Sequence, residues 1–380
     1  MIEPNVEPRW GSYVLRNGDG LIDLWRQYLS VKERRILFIM GRGFDPRMCH
    51  GLSRLFELDV KDAEIRLIEF DEGEDSPSIK FAPKVSANVE ELARITNGKG
   101  TVTSQKIRMW SADRRRRIGS NEARKLFRDL ADLGSASDII VDVSSLPRSI
   151  YIPLIGTLLY LLDSATANGE PPARNLHVWV SENPEVDRRI TDEEIDEQAE
   201  LMDAFRGGLD MEANRGIPTI WIPLLGEGQR TQLERINDLL QPDEICPVLP
   251  SPSRAPRRGD DLIHQYRGFL FDTLTIDPRN FIYAAERNPF EVYRQMRQTI
   301  LHYKKALTPL GGCKIGISAL STKLMSLGAM LVAYELKNCL VGIAHIEADG
   351  YNVGSEAYDC EIMDQNDIFG LWLFGECYET

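Results

Sequence analysis

The residues best suited to chemistry fall in one stretch, Asp138-Ile-Ile-Val-Asp-Val-Ser-Ser-Leu-Pro-Arg148. The apolar, β-favouring residues around Asp142 read as a buried parallel strand, and the small hydroxyls and Pro147 that follow read as a helix start. Asp142, Ser144, Ser145 and Arg148 are therefore expected together at a strand's carboxyl end, where open α/β sheets take their ligands. The chemistry in view is binding, because hydroxyls and a guanidinium beside a helix start suit a phosphate or a carboxylate. A related pattern, Cys313-Lys-Ile-Gly-Ile-Ser-Ala-Leu-Ser-Thr-Lys323, puts Ser318, Ser321, Thr322 and Lys323 in the same relation to a second strand and helix. Two similar halves are implied.

A second loop joins this set. Gly41-Arg-Gly-Phe-Asp-Pro-Arg47 ends the apolar run Arg35–Met40, and its two glycines let backbone approach a phosphate or nucleoside. The third glycine of the dinucleotide fingerprint is missing, so a tight turn fits as well as a ligand loop. Asp45 and Arg47 are costly to bury unless paired. They either pair with each other or leave Arg47 to face an anion. The candidate ligand-binding residues are Gly41, Gly43, Phe44, Asp45, Arg47, Asp142, Ser144, Ser145, Arg148, Ser318, Ser321, Thr322 and Lys323, with Gly226-Glu-Gly228 a fainter counterpart of the first loop.

Catalytic sets are not visible. The five histidines (50, 177, 264, 302, 345) are isolated, with no HExxH, and neither a Gly-x-Ser-x-Gly elbow nor a P-loop occurs. Cys49 beside His50 could carry a lowered thiol pKa, although a buried structural cysteine is the commoner state. The scattered cysteines lack CxxC spacing and favour reduced thiols in a cytoplasm. No structural zinc is expected, and no cofactor can be named.

The elements that must position these residues alternate between strand and helix, which implies right-handed crossovers and parallel sheets. The fold class expected is α/β: two tandem Rossmann-like units, each a mainly parallel sheet with helices on both faces. The expected organisation is an N-terminal extension over 1–34, which docks on the first unit, and units at 35–183 and 217–350. An acidic helical connector over 184–216 and a tail over 351–380 complete it. In the tail, Ile368–Phe374 is read as an edge strand or a subunit contact. The clearest helix carries Ala123, Leu126, Phe127, Leu130 and Leu133 at helical spacing.

At 380 residues the chain is long enough for two cores, and 43% apolar with 27% charged residues is an ordinary globular balance. A net charge of −13 argues against wholesale nucleic-acid coating. The basic clusters at Arg114–Arg117 and at Arg254, Arg257 and Arg258 read first as solvated surface, with a polyphosphate or RNA contact as the sharper reading. The longest apolar run, Ile150–Leu162, falls short of the roughly 20 residues that cross a bilayer, and no signal peptide is seen. A cytoplasmic protein without a membrane partner is expected.

The strand–Asp142-Val-Ser144-Ser145-x-x-Arg148 and Ser318-x-x-Ser321-Thr322-Lys323 patterns resemble the ligand loops of CRISPR-associated Rossmann-fold sensor domains (CARF). Two such units in one chain resemble the fused SAVED sensors of bacterial antiphage systems. The resemblance implies a receptor for a nucleotide second messenger. Such a chain, lacking an effector, would signal as a homodimer or through a partner chain. Gly41-x-Gly43-Phe44-Asp45-x-Arg47 with Glu69-Phe-Asp71 is also similar to the cofactor loop of methyltransferases of the leucine carboxyl methyltransferase type. That likeness implies an acidic residue on the ribose of S-adenosylmethionine. A scaffold subunit of a multiprotein complex is the third reading.

Overall fold

A computed structural model describes residues 7–58, 60–73, 76–168 and 174–378. Residues 1–6 of the expected extension lie outside these. In chain order the elements are β1 (Val14–Asn17), α1 (Gly18–Val31), β2 (Ile36–Arg42), α2 (His50–Phe56), β3 (Ala63–Asp71), α3 (Ala82–Thr96), β4 (Gly100–Arg108), α4 (Gly119–Arg124), β5 (Asp138–Asp142), α5 (Arg148–Ala167), β6 (Asn175–Glu182), α6 (Pro184–Asp187) and β7 (Ile190–Ile195). There follow β8 (Glu200–Leu201), β9 (Thr219–Leu224), α7 (Arg230–Leu240), β10 (Glu244–Ile245), β11 (Val248–Pro250), α8 (Arg258–Arg267), β12 (Ile282–Ala284), α9 (Pro289–Ala306), β13 (Lys314–Ala319), α10 (Lys323–Glu335) and β14 (Val341–His345). β15 (Ala348–Val353), α11 (Cys360–Met363) and β16 (Asp367–Phe374) end the chain.

These elements form two compact units. The first gathers Tyr13–Glu194 with Ala348–Thr380, and the second gathers Ile195–Glu347 with Met1–Ser12. In the first, the sheet order is β1-β16-β6-β5-β2-β3-β4. The five strands from β6 to β4 are parallel, whereas β16 runs antiparallel to both β6 and β1. Numbered along the chain, the parallel strands stand in the order 3-2-1-4-5, so the direction of winding reverses between β2 and β5. Buried residues of α1, α2 and α3, including Trp25, Leu52, Leu55 and Leu92, form one core with Phe38, Ile65 and Trp179. The pair α4 and α5 packs together elsewhere.

The second unit repeats this order. β12, β11, β9, β13 and β14 are parallel neighbours in that sequence, again 3-2-1-4-5, with β8 antiparallel on β14. Leu233 and Ile236 of α7 and Leu262 and Tyr266 of α8 pack with Trp221 and Leu249 in one core, while α9 packs on α10. Two Rossmann-like α/β units are thus present.

Several expectations are corrected. The stretch 184–216 is no helical connector, since Ile190-Thr-Asp-Glu-Glu-Ile195 has no apolar stripe at helical spacing and instead pairs as a strand with β15. The division between units falls inside it. The N-terminal segment is shared: Trp10 is buried in the second unit, edge-on to Tyr293 at 5.4 Å, while α1 buries Leu21, Ile22 and Trp25 in the first. The tail strand β16 lies one place in from the sheet's end, not at its edge, and is buried from Ile368 to Leu373. The helix expected over 123–133 stops at Arg124. Asp129 draws it apart by accepting hydrogen bonds from the amides of Ala131 (2.9 Å) and Asp132 (3.3 Å), which starts a separate short turn. Helix α5 outlasts its apolar run and is long and apolar enough to cross a membrane. Ile150, Tyr151, Leu154, Ile155, Leu158 and Leu162 are buried in its own unit.

Candidate ligand site at the first switch point

The order 3-2-1-4-5 places the carboxyl ends of β2 and β5 side by side, and these strand ends, the loops that follow them and the first residue of α5 carry the first nine candidate residues. Gly41 is glycine because a Cβ there would stand 2.9 Å from the Ser145 carbonyl oxygen and 2.9 Å from Leu146. Ser145 Oγ donates to the Gly41 carbonyl at 2.8 Å, which pins the loops together. Gly43 lies in ordinary contact with Ser145, 3.6 Å from its carbonyl. Arg148 opens α5 and is half-buried.

The loop after β2 is held from outside as well. Asn88 donates to the carbonyls of Gly43 (2.9 Å) and Asp45 (3.0 Å), and Tyr358 donates to that of Phe44 (2.9 Å). The Phe44 ring packs on Phe81 at 4.6 Å between centroids. Neither Asn88 nor Tyr358 belongs to a motif, so nothing short of the fold would single them out.

Arg47 resolves the open question about its partner. It is 1% exposed. Its Nε and Nη2 donate to the two Asp45 oxygens at 2.9 and 2.7 Å, and its Nη1 donates to Asp187 at 2.8 Å. Burial works against its charge, but Asp187 and Asp45 outweigh it and hold its pKa well above the ordinary value. Asp45 and Arg47 therefore leave the candidate set as a buried ion pair.

Asp142 and Ser144 are also inward. Asp142 Oδ1 accepts from the Ser144 amide at 2.8 Å, and Ser144 Oγ accepts from the Ser181 amide at 2.9 Å. Ser181 Oγ in turn shares a hydrogen bond with His50 Nδ1 at 2.8 Å. Burial, then Arg54, lowers the His50 pKa to about 4, so its ring is neutral at neutral pH. Burial pushes the neighbouring Cys49 thiol up to about 12, the opposite of an activated nucleophile. Gly43, Phe44, Ser145 and Arg148 remain at the rim. Beside them, Arg42 donates to Glu69 at 2.7 Å, and Lys106 pairs with Asp71 at 3.0 Å; that hydrogen bond lowers the Asp71 pKa.

At the second switch point the four candidates divide differently. Ser318 is buried and accepts from the Trp221 indole at 3.0 Å, which makes it a core residue. Thr322 caps α10 by accepting from the Met325 amide at 3.3 Å, Ser321 Oγ lies 3.2 Å from the Met325 sulfur, and Lys323 is half-buried in the first turn. Gly226 repeats the role of Gly41, because a Cβ there would run into the Leu320 carbonyl. The basic cluster nearby is neutralised at Arg258, which donates to both oxygens of Glu227 at 2.7 and 2.6 Å and to Glu286. In the first unit, Arg117 pairs with Asp349 and lies over the Trp110 ring at 3.8 Å. Among the described residues, no group of three His, Cys, Asp or Glu side chains is gathered as a metal requires.

No protein-family model and no curated protein matches the sequence. Among solved structures, the chain is similar to the cytoplasmic domain of a prokaryotic cation chloride cotransporter. The likeness has 10% identity and a TM-score of 0.22, over 84% of this chain and 96% of that one. A likeness this slight carries no argument about function.

Proposed function

We propose that this chain is a non-catalytic, ligand-sensing or regulatory subunit that takes a nucleotide-like anion at the first switch point. Its setting would be the cytoplasm of a prokaryote, in antiphage defence. One observation carries the reading: the loops after β2 and β5 are brought into contact at the reversal of the sheet, with Gly43, Ser145 and Arg148 on the same rim. The rim also stands at the start of the 20-residue helix α5, where the helix dipole favours negative charge. Calorimetry with linear and cyclic adenine nucleotides tests it. Binding that Arg148→Ala weakens tenfold or more, at unchanged melting temperature, supports the reading; a protein that binds none of them, or one in which Arg148→Ala unfolds the chain and leaves affinity alone, removes it.

A methyltransferase is the second reading, favoured by Glu69 and Asp71 at the end of β3 beside the glycine loop. Against it, both carboxylates are already engaged by Arg42 and Lys106. Micromolar S-adenosylmethionine binding that Asp71→Ala abolishes would reverse the ranking.

A further inference from the structure

At the ends of the two large sheets the described strands are short with one exception. β1 has 4 residues, β12 has 3 and β8 has 2, whereas β4 has 9. Among the described residues β4 pairs with β3 alone, and the pairing runs from Gly100 to Arg108 without a shift. Proteins protect such an edge with proline, a bulge, a charge within the strand or a covering element. None of these guards residues 101–105. Thr101, Val102, Thr103 and Ser104 are exposed in succession, so among the described residues nothing covers either face there, and Val102 is 38% exposed. The sequence Thr-Val-Thr-Ser-Gln is uncharged and rich in β-branched residues, the composition that favours strand pairing. The cations lie outside it: Lys99 donates to the Phe56 carbonyl at 3.1 Å, Lys106 pairs with Asp71 at 3.0 Å, and the exposed Arg108 ends the strand.

We infer that β4 is an interaction surface, and that its partner is the β4 of a second copy, paired antiparallel about a two-fold axis through Thr103. The strand is self-complementary in that register. Thr103 meets its own counterpart, Val102 lies opposite Ser104 and Thr101 opposite Gln105. Lys106 falls opposite Gly100 and Lys99 opposite Ile107, so no like charges are directly opposed. A two-fold contact of one patch with itself is also the commonest way for identical chains to associate. The first unit's sheet then continues across the axis into the sheet of the second copy. Hydrogen bonds from the free edge supply much of the contact, and the Thr and Val side chains set the register.

Light scattering of the full chain, from micromolar to tens of micromolar, tests the association. Twice the chain mass is expected for the unaltered protein. Thr103→Lys sets two ammonium groups face to face and should restore the single-chain mass. Position 103 is exposed, so that variant should keep the far-UV circular dichroism of the unaltered protein and a cooperative unfolding transition, losing only the stability that association adds. Register is tested separately with T103C, because only residues opposite themselves form a self-disulfide readily. Mild oxidation should link that variant, and not T101C, into a disulfide dimer mapped to position 103. A single-chain mass at every concentration overturns the inference, whether or not some other protein's strand pairs with the edge. So does a dimer that survives Thr103→Lys without the position-103 link.

Discussion

At Arg47 and Arg148, the same residue type at two strand ends meets different fates. Arg47 spends its guanidinium on Asp45 and Asp187 inside the protein, whereas Arg148 sits half-buried at a helix start. Removing Arg47 leaves Asp45 buried without its partner, so Arg47→Ala should cost about 3–5 kcal/mol in urea denaturation. A loss under about 1 kcal/mol would fit a surface pair and contradict this account. His50 gives the site a pH signature. Its pKa is about 4 folded against 6.5 unfolded, so above 6.5 both states are neutral. As pH falls from 6.5 towards 4 the unfolded chain gains a proton the folded chain refuses, and stability declines. Buried His177 is shifted in the same direction. His50→Asn should therefore flatten, without abolishing, the loss of stability between pH 6 and 5, by up to about 1.4 kcal/mol per pH unit. An unchanged slope would mean that His50 is solvated. These fates depend on neighbours more than a hundred residues away, Asp187 for Arg47 and Ser181 for His50. That is why spacing could mark the pair Asp45 and Arg47 but could not decide which way it faced.

Elements whose strands are buried on both faces were the most legible. β2, β5 and β9 read from largely apolar runs and β13 from a β-rich one, because parallel central strands need no polar alternation. The loops that follow them could be placed for the same reason. Elements formed by pairing distant segments were harder to read. β1 is made a strand by β16, more than 350 residues away, and β7 by β15. Neither has an apolar pattern of its own. β16 reads in sequence as an edge strand or a subunit contact because its aromatic run has no local partner; in the fold it joins β1 to β6, and Gly370 leaves room for Leu21. It follows that the tail is structural. A chain ending at Met363 should lose the cooperative unfolding transition of the first unit, and with it much of the far-UV circular dichroism. If that shorter chain melts as the full one does, β16 is dispensable and the sheet must close without it.

Over the whole molecule, the repeat is architectural and positional. Both units order their parallel strands 3-2-1-4-5, and in both a glycine at or just past the carboxyl end of the first of these strands packs against the carbonyl of the loop after the fourth, Gly41 on Ser145 and Gly226 on Leu320. The polar chemistry has diverged around that shared contact. The first rim keeps Ser145 and Arg148, while the second has drawn Ser318 to a core tryptophan and Thr322 to a helix cap. A ligand is therefore expected at one switch point of the two. The chain is also interleaved, since the second unit takes its main body from Ile195–Glu347 but borrows the N-terminal segment, where Trp10 is 1% exposed beside Tyr293 and Arg9 lies 5.5 Å from the Tyr334 ring. All the strands of the second sheet lie within 195–347, so that fragment should fold without the rest of the chain. It should do so at reduced stability, because losing a buried Trp costs about 3–5 kcal/mol. A peptide of residues 7–12 added in trans should raise its melting temperature, and the same peptide with alanine at position 10 should not. If the fragment folds fully and ignores the peptide, Trp10 contributes nothing to this core. If it fails to fold even with the peptide present, the second unit depends on the first.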